Sequence, residues 1–292
     1  MSRVPARVFG LAALLFVLAP KAWAGDPDIG VTRATAFGGS CQGCSLSGRK
    51  LTGATFAGGN FSKALLVGAD LRGASFTGTT FAGADFSRAD LRSASLLGVS
   101  FSGAIFADAR LDGLEGAGAV FSWANLKRAQ LSSVELVGAD FTHANLNEAR
   151  LGGAELVASN LSDAEGHRAD FQSADLSGSR LIGGRFPEAS FRGATLTNAD
   201  LSRGQFAGAD FKGADLEGAK LYGADLANAR GLTQDQLDST CGDGATRLPA
   251  GLWAPKGCHG LSLHVHMPLF PAPPAPPAPP APPAHPVSAH QR

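Results

Sequence analysis

Trp123, His143 and Asp163 are the side chains whose types and spacing best fit a recognition site, since they follow one another at equal intervals along the chain. An exposed indole beside an imidazole and a carboxylate can bind a partner, and the carboxylate can orient or charge the imidazole. Ser122 and Ser162 belong to the turn pattern of the surrounding sequence and supply no nucleophile. We therefore predict a binding patch without catalytic residues; an incidental stack on a solvated surface is the alternative.

The four cysteines form two local groups, one near each end of the chain. An even number of cysteines behind a secretory leader is typical of disulfides, and local pairing predicts the bonds Cys41–Cys44 and Cys241–Cys258. A CxxC sequence can also be a redox pair or half of a zinc site. No second CxxC and no strand–helix unit support these alternatives.

The sequence contains no motif for a cofactor. It lacks a phosphate-binding loop, a nucleophile elbow, a zinc-binding helix motif and a calcium loop. His264, His266, His285 and His290 could hold a metal loosely, but their spacing is irregular. We expect no cofactor, no metal site and no enzymatic activity.

A five-residue repeat must position the candidate patch. From Leu46 to Leu226 every fifth residue is Leu or Phe except Gly116 and Gly166, which makes 35 of 37 positions. Neither a helix nor a strand has a period of five. An apolar period kept over this length predicts a solenoid, in which each unit buries its face against its neighbours.

A second, longer period of four repeats lies over the first. It appears when the inward residues are compared at intervals of 20. The series that starts at Phe61 holds Phe and changes to Leu at Leu161, whereas the series that starts at Leu51 holds Leu and changes to Phe at Phe171. A core of fixed width requires this compensation of volume between opposite walls. Four repeats per coil follow, so the 37 repeats form about nine coils.

The repeat unit has Ala two residues before each Leu or Phe and Asp or Asn immediately before it, as in the sequence A(D/N)LxG. This unit resembles the pentapeptide-repeat family over residues 46–230. The resemblance implies an all-β fold, a right-handed quadrilateral parallel β-helix with the Leu, Phe and Ala side chains pointing inward. Some cytosolic members resemble duplex DNA and act on DNA gyrase, which supplies an alternative function.

The outer faces of the solenoid differ in the residue type at the third position of each turn, where the inward Leu or Phe is the first. On two faces it is nearly always Gly, Ser or Ala, and a glycine there permits the positive φ of a type II turn. On the face of Leu46 it alternates in charge, which predicts a surface ion ladder: Arg88, Asp108, Arg128, Glu148, Arg168 and Glu188. We expect Leu114 to refill the gap at Gly116, and a bulge or void at Gly166.

The chain divides into five segments. Residues 1–24 are predicted to be a signal peptide, 25–45 an N-terminal cap, 46–230 the β-helix, 231–260 a C-terminal cap, and 261–292 a disordered tail rich in Pro and Ala. Within the C-terminal cap, Thr233 and Gln236 match a capping box and predict a short helix. Leu232 and Leu237 are expected to cover the last coil.

The N-terminal segment predicts export. An apolar run from Val8 to Ala19 precedes Ala22-Trp23-Ala24, so cleavage is expected after Ala24; an uncleaved anchor is the alternative. The mature chain then has 22 basic and 25 acidic residues and no apolar run that could span a membrane. This balance favours neither nucleic acid nor an anionic membrane as a partner.

These observations predict a secreted or periplasmic, non-enzymatic structural or protein-interaction module. Its partner is expected to be a protein, and a homodimer stays possible. The leader, the near-neutral charge and the alternating charges oppose the gyrase-interacting alternative.

Overall fold

The computed structural model describes residues 36–254, which form a parallel β-helix. Beyond the regular strands, a bridging residue in each repeat pairs in parallel with the corresponding residue four repeats further on, as Asp70 does with Asp90. Four repeats therefore make one coil, and the predicted fold class is confirmed. The regular elements are β1 (Ala36–Ser40), β2 (Thr55–Asn60), β3 (Ser75–Thr77), β4 (Ser95–Leu97) and α1 (Gln234–Asp238), with the strands in the order β1-β2-β3-β4.

Each five-residue repeat turns the chain through one corner of the coil. The Ala64 N–H donates to the Phe61 carbonyl at 3.0 Å, which closes a turn. The third residue of such a turn has a positive φ, as at Gly83 (64°), which confirms the turn geometry predicted from the sequence. Between corners, the Phe61 N–H donates to the Thr80 carbonyl of the next coil at 2.8 Å. The coils thus satisfy their backbone groups through their neighbours.

The interior of the rod consists of the inward Leu and Phe residues with the Ala residues between them, nearly all fully buried. Phe rings in successive coils stack face to face, as Phe121 does on Phe141 (centroids 5.1 Å apart) and Phe171 on Phe191 (5.1 Å). A β-strand spacing of about 4.8 Å between coils brings identical rings into contact. Stacked columns of one residue type follow from this spacing.

The core gap at Gly166 is filled, so the expected bulge or void is wrong. A Cβ atom at residue 166 would lie 2.5 Å from Cδ1 of Phe186, whose ring occupies the space that a side chain would take. The ladder continues without a bulge, since Glu165 pairs with both Asn145 and Arg185. The large ring of the following coil compensates for the missing side chain.

The gap at Gly116 is closed differently. Leu114 is fully buried beside it, at a position that most coils give to Ala. The backbone of Gly116 also lies against the preceding coil, since a Cβ atom at residue 116 would lie 2.6 Å from Cβ of Leu96. The backbone bonds persist, with the Gly116 N–H 2.8 Å from the Glu135 carbonyl.

The N-terminal end shows a change of register that the repeat period did not predict. Phe37 of β1 pairs with Phe56 and Ser40 pairs with Asn60, so the offset between partners grows by one within the strand. The Phe37 ring stacks on Phe56 with centroids 4.8 Å apart. Phe37 lies one residue out of the five-residue register and packs against the core through this shift.

The C-terminal end is covered by α1 and the residues after it. Thr233 and Gln236 form the predicted capping box, which is confirmed. Leu237 is fully buried and Leu232 packs against the same core. The Gln236 side-chain amide donates to the carbonyls of Phe211 (3.1 Å) and Ala214 (2.7 Å). The cap thus covers the apolar end and also pairs its exposed carbonyls.

Candidate interaction face

The structure brings Trp123 and His143 into direct contact on one face of the rod. Their rings stack with centroids 4.0 Å apart and an interplanar angle of 25°. Backbone hydrogen bonds hold both residues, since the Trp123 N–H donates to the Thr142 carbonyl (2.9 Å) and the His143 N–H donates to the Ser162 carbonyl (3.0 Å). Trp123 is 65% exposed. We call the face whose outward residues include Trp123, His143 and Asp163 the Trp123 face.

Asp163 does not join this aromatic pair as the sequence suggested. Within residues 36–254, no hydrogen bond or ion pair connects its carboxylate with the His143 ring. The carboxylate lies over the following coil instead, because a Cβ atom at residue 183 would lie 2.6 Å from Asp163 Oδ1. The equal spacing placed the three residues correctly in one column, but it could not give the directions of their side chains.

The backbone under the Trp123 face is in the left-handed region. The φ angles of Trp123, His143 and Asp163 are 60°, 57° and 56°. Residues with a Cβ lose roughly 1–2 kcal/mol in this conformation, and the same column holds glycine at Gly103 and Gly183. The fold therefore does not require these large side chains, and the same conformation holds Lys63 and Arg203 in this column.

The charged column on the neighbouring face forms pairs. Arg128 donates to both carboxylate oxygens of Asp108 at 2.7 Å, and Arg168 lies 2.8 Å from Glu188. The arginine hydrogen bonds lower the pKa values of Asp108 and Glu188 below their usual range. The predicted ladder is thus confirmed only for two separate pairs, whereas Glu148 of the same column lies 3.9 Å from Lys127.

A second arginine–aspartate network lies on the face of Leu51. Arg72 binds both oxygens of Asp70 at 2.8 and 2.7 Å, and Arg92 binds Asp90 in the same way. The hydrogen bond from Arg72 is the largest cause that lowers the pKa of Asp70 to about 2. We did not predict this network from the sequence, although Asp followed two residues later by Arg is a visible signal.

Three cysteines lie in the described part of the chain, two at the N-terminal cap and one at the C-terminal cap. Cys41 and Cys44 are joined by a disulfide with Cα atoms 5.4 Å apart. Cys241 is also disulfide-bonded; Cys258, its predicted partner, lies outside the described residues, as do the four tail histidines. No group of three potential metal ligands occurs between residues 36 and 254, and no helix there is long and apolar enough to cross a membrane.

The fold and its flat faces define a repeat solenoid built from five-residue units. A family model described as pentapeptide repeats matches overlapping segments from residue 40 to residue 228. The chain therefore belongs to the pentapeptide-repeat family. Comparison with curated proteins gives no match.

Two solved structures illustrate the similarity. HetL, a pentapeptide-repeat protein involved in heterocyst differentiation regulation from the cyanobacterium Nostoc sp. strain PCC 7120, is 26% identical, with 70% of this chain and 91% of HetL covered and a TM-score of 0.51. A trypsin-treated form of QnrB1, a plasmid-mediated fluoroquinolone resistance protein, is 24% identical, with 72% and 92% covered and a TM-score of 0.39.

Proposed function

We propose that this protein is an exported, non-enzymatic module that binds another protein through the Trp123 face. The observation that carries the proposal is the stacked Trp123–His143 pair, exposed on a rigid wall at backbone positions that favour glycine. Trp is enriched among the residues that dominate protein interfaces, because a large ring excludes water over a wide contact area. A neighbouring imidazole adds a polar edge that a partner can hydrogen-bond.

A role as a DNA mimic has less support. A mimic of duplex DNA needs regularly spaced, unpaired negative charge along its surface. On the face of Leu46, Asp108 and Glu188 are neutralised by Arg128 and Arg168. On the face of Phe56, the uninterrupted run of carboxylates without an ion pair in the described residues covers only four adjacent coils, from Glu115 to Asp175. The exposed Trp123 ring favours a protein partner that recognises an aromatic surface.

Export is the second part of the proposal and rests on residues 1–24, outside the described part of the chain. We expect the mature protein in the envelope or medium to begin at Gly25, because Ala22 and Ala24 occupy the small positions before the cleavage site. Intact-mass measurement of the protein from separated cell fractions checks this. A full-length chain recovered from the cytosol contradicts it.

Replacing Trp123 with alanine is expected to weaken partner binding strongly and to leave the fold intact. We expect at least a roughly tenfold loss of the crosslinked partner, since a central aromatic residue often contributes about 2 kcal/mol or more to an interface. The measurement is photo-crosslinking of the full chain in intact cells, followed by mass spectrometry.

Trp253→Ala is the matched control, because this second tryptophan is 64% exposed in the C-terminal cap. Trp123→Gly is a further variant that removes the ring and also relieves the left-handed backbone. Its melting temperature should be close to that of the wild type, since relief of about 1 kcal/mol of backbone strain offsets the lost stacking on His143. Identical partners for wild type and Trp123→Ala would rule out this face.

A further inference from the structure

An apolar stripe runs along the face of Phe56. Its outward residues, one from each of four successive coils, are Leu97, Ala117, Val137 and Val157. Leu97 is 65% exposed and Val137 is 41% exposed, whereas single exposed apolar residues on most surfaces have polar neighbours. We call this surface the Leu97 face.

The Leu97 face is indented at the core gap. A notch of about 270 Å³ is lined by Ser95, Leu96, Glu115, Gly116, Ala117, Glu135 and Val137. It lies where the backbone of Gly116, which carries no side chain, lies against Leu96 of the preceding coil. Ala117 forms a low floor between the larger Leu97 and Val137 side chains, which leaves room for one apolar side chain from a partner.

Acidic residues line one edge of this notch. Glu115 pairs with Glu135, Glu135 with Glu155 and Glu155 with Asp175 in the backbone ladder, so that four carboxylates follow one another at the spacing of adjacent coils. The three glutamates are exposed, and none of the four carboxylates forms an ion pair within residues 36–254. Like charges opposite one another in neighbouring strands destabilise a sheet. Several other acidic residues of the rod are neutralised by arginine, among them Asp70, Asp90, Asp108 and Glu188.

We propose that the Leu97 face binds an extended segment of a partner protein in which an apolar side chain is flanked by Lys or Arg. The apolar side chain enters the notch over Ala117, and the basic side chains approach Glu115 and Glu135. Charge complementarity selects this occupant, because a basic segment relieves the repulsion within the glutamate column. A second copy of the chain fits less well, since the chain after Ala24 has 22 basic and 25 acidic residues and therefore no excess of positive charge.

The test measures peptide binding to the full chain by fluorescence anisotropy. The probes are fluorescein-labelled peptides of sequence Lys-Leu-Lys-Leu-Lys, Lys-Ser-Lys-Ser-Lys and Glu-Leu-Glu-Leu-Glu. We expect the first to bind at least about tenfold more tightly than the other two, because the site requires apolar contact and positive charge together. Its affinity should fall as salt is added.

Two variants localise the site. The affinity for the Lys-Leu peptide should fall by about tenfold or more in each of them. The first is the triple variant Glu115→Gln/Glu135→Gln/Glu155→Gln, and the second is the double variant Leu97→Ser/Val137→Ser. Glu217→Gln is the matched control, an exposed acid in the same outward column as Leu97 but several coils away. Trp123→Gly should also bind normally, which separates this face from the Trp123 face.

Several outcomes would overturn the proposal. These are equal binding of the Lys-Ser peptide, no saturable binding of the Lys-Leu peptide, or unchanged affinity in both Leu97-face variants. Sedimentation velocity identifies the competing occupant: a wild-type dimer that Leu97→Ser/Val137→Ser converts to a monomer would assign this face to a second copy. Thermal melting of every variant shows that a loss of binding does not reflect unfolding.

Discussion

Replacing Phe186 with alanine is expected to lower the free energy of unfolding by about 3–5 kcal/mol, the cost of removing a buried phenylalanine. Its ring is fully buried, stacks on Phe206 at 5.9 Å and packs edge-on against Phe171 at 5.8 Å. It also fills the space beside Gly166. The variant therefore opens a cavity across two coils, which urea unfolding followed by circular dichroism would detect.

A double-mutant cycle tests whether Phe186 and Gly166 compensate for each other. Gly166→Leu alone should destabilise the protein by about 1–3 kcal/mol, because the new side chain collides with the Phe186 ring. Phe186→Leu alone leaves the gap only partly filled. Together they recreate the stacked leucines found at Leu126 and Leu146, so the double variant should be more stable than the additive sum.

Phe101→Leu is the control for this cycle, because Phe101 lies in distant coils with its own phenylalanine neighbours. Its effect should add to that of Gly166→Leu within about 0.5 kcal/mol. Additive behaviour of Gly166→Leu with Phe186→Leu would show that the ring does not substitute for the missing side chain.

Introducing a charge into the C-terminal cap with Leu237→Asp should detach α1 from the rod. Leu237 is fully buried, so the change removes apolar contacts and leaves a carboxylate without a partner, at a cost of about 3–5 kcal/mol. Undocking withdraws Gln236 from the carbonyls of Phe211 and Ala214. The last coil then presents an open sheet edge that can pair with another chain.

Light scattering after size-exclusion chromatography should show oligomers of Leu237→Asp, while circular dichroism retains most of the β signal. Leu237→Met keeps volume and apolarity and should behave like the wild type. Asp235→Asn changes charge on the exposed side of the same helix and should also remain unchanged. A monomeric Leu237→Asp with wild-type melting would show that α1 does not protect the end.

Much of the fold was predictable because its determinants are local and repeated. The five-residue period, the exchange of Phe and Leu between opposite walls, and the Thr233–Gln236 capping box all depend on spacing along the chain. The filling of Gly166 was not predictable from that spacing. It depends on the direction in which the Phe186 ring leans, which packing in three dimensions decides.

In the candidate sites too, spacing along the chain predicted the positions of residues, whereas packing decided their contacts. Spacing placed Trp123, His143 and Asp163 in one column, yet side-chain orientation joined only the first two. The Leu97 face was not predicted, although Leu97, Ala117, Val137 and Val157 stand in one column at intervals of 20 residues. Its notch could not be inferred from that spacing, because it depends on how closely the backbone of Gly116 lies against Leu96.

The sequence by itself determined the number of repeats per coil, the inward and outward columns and the capping helix, because a solenoid converts a linear period directly into geometry. The tertiary structure decided how the two core gaps close, how Phe37 enters the stack by a shift of register, and which charged side chains pair. These features depend on contacts between neighbouring coils. A repeat sequence specifies where each residue stands but leaves open the rotamer with which it meets its neighbour.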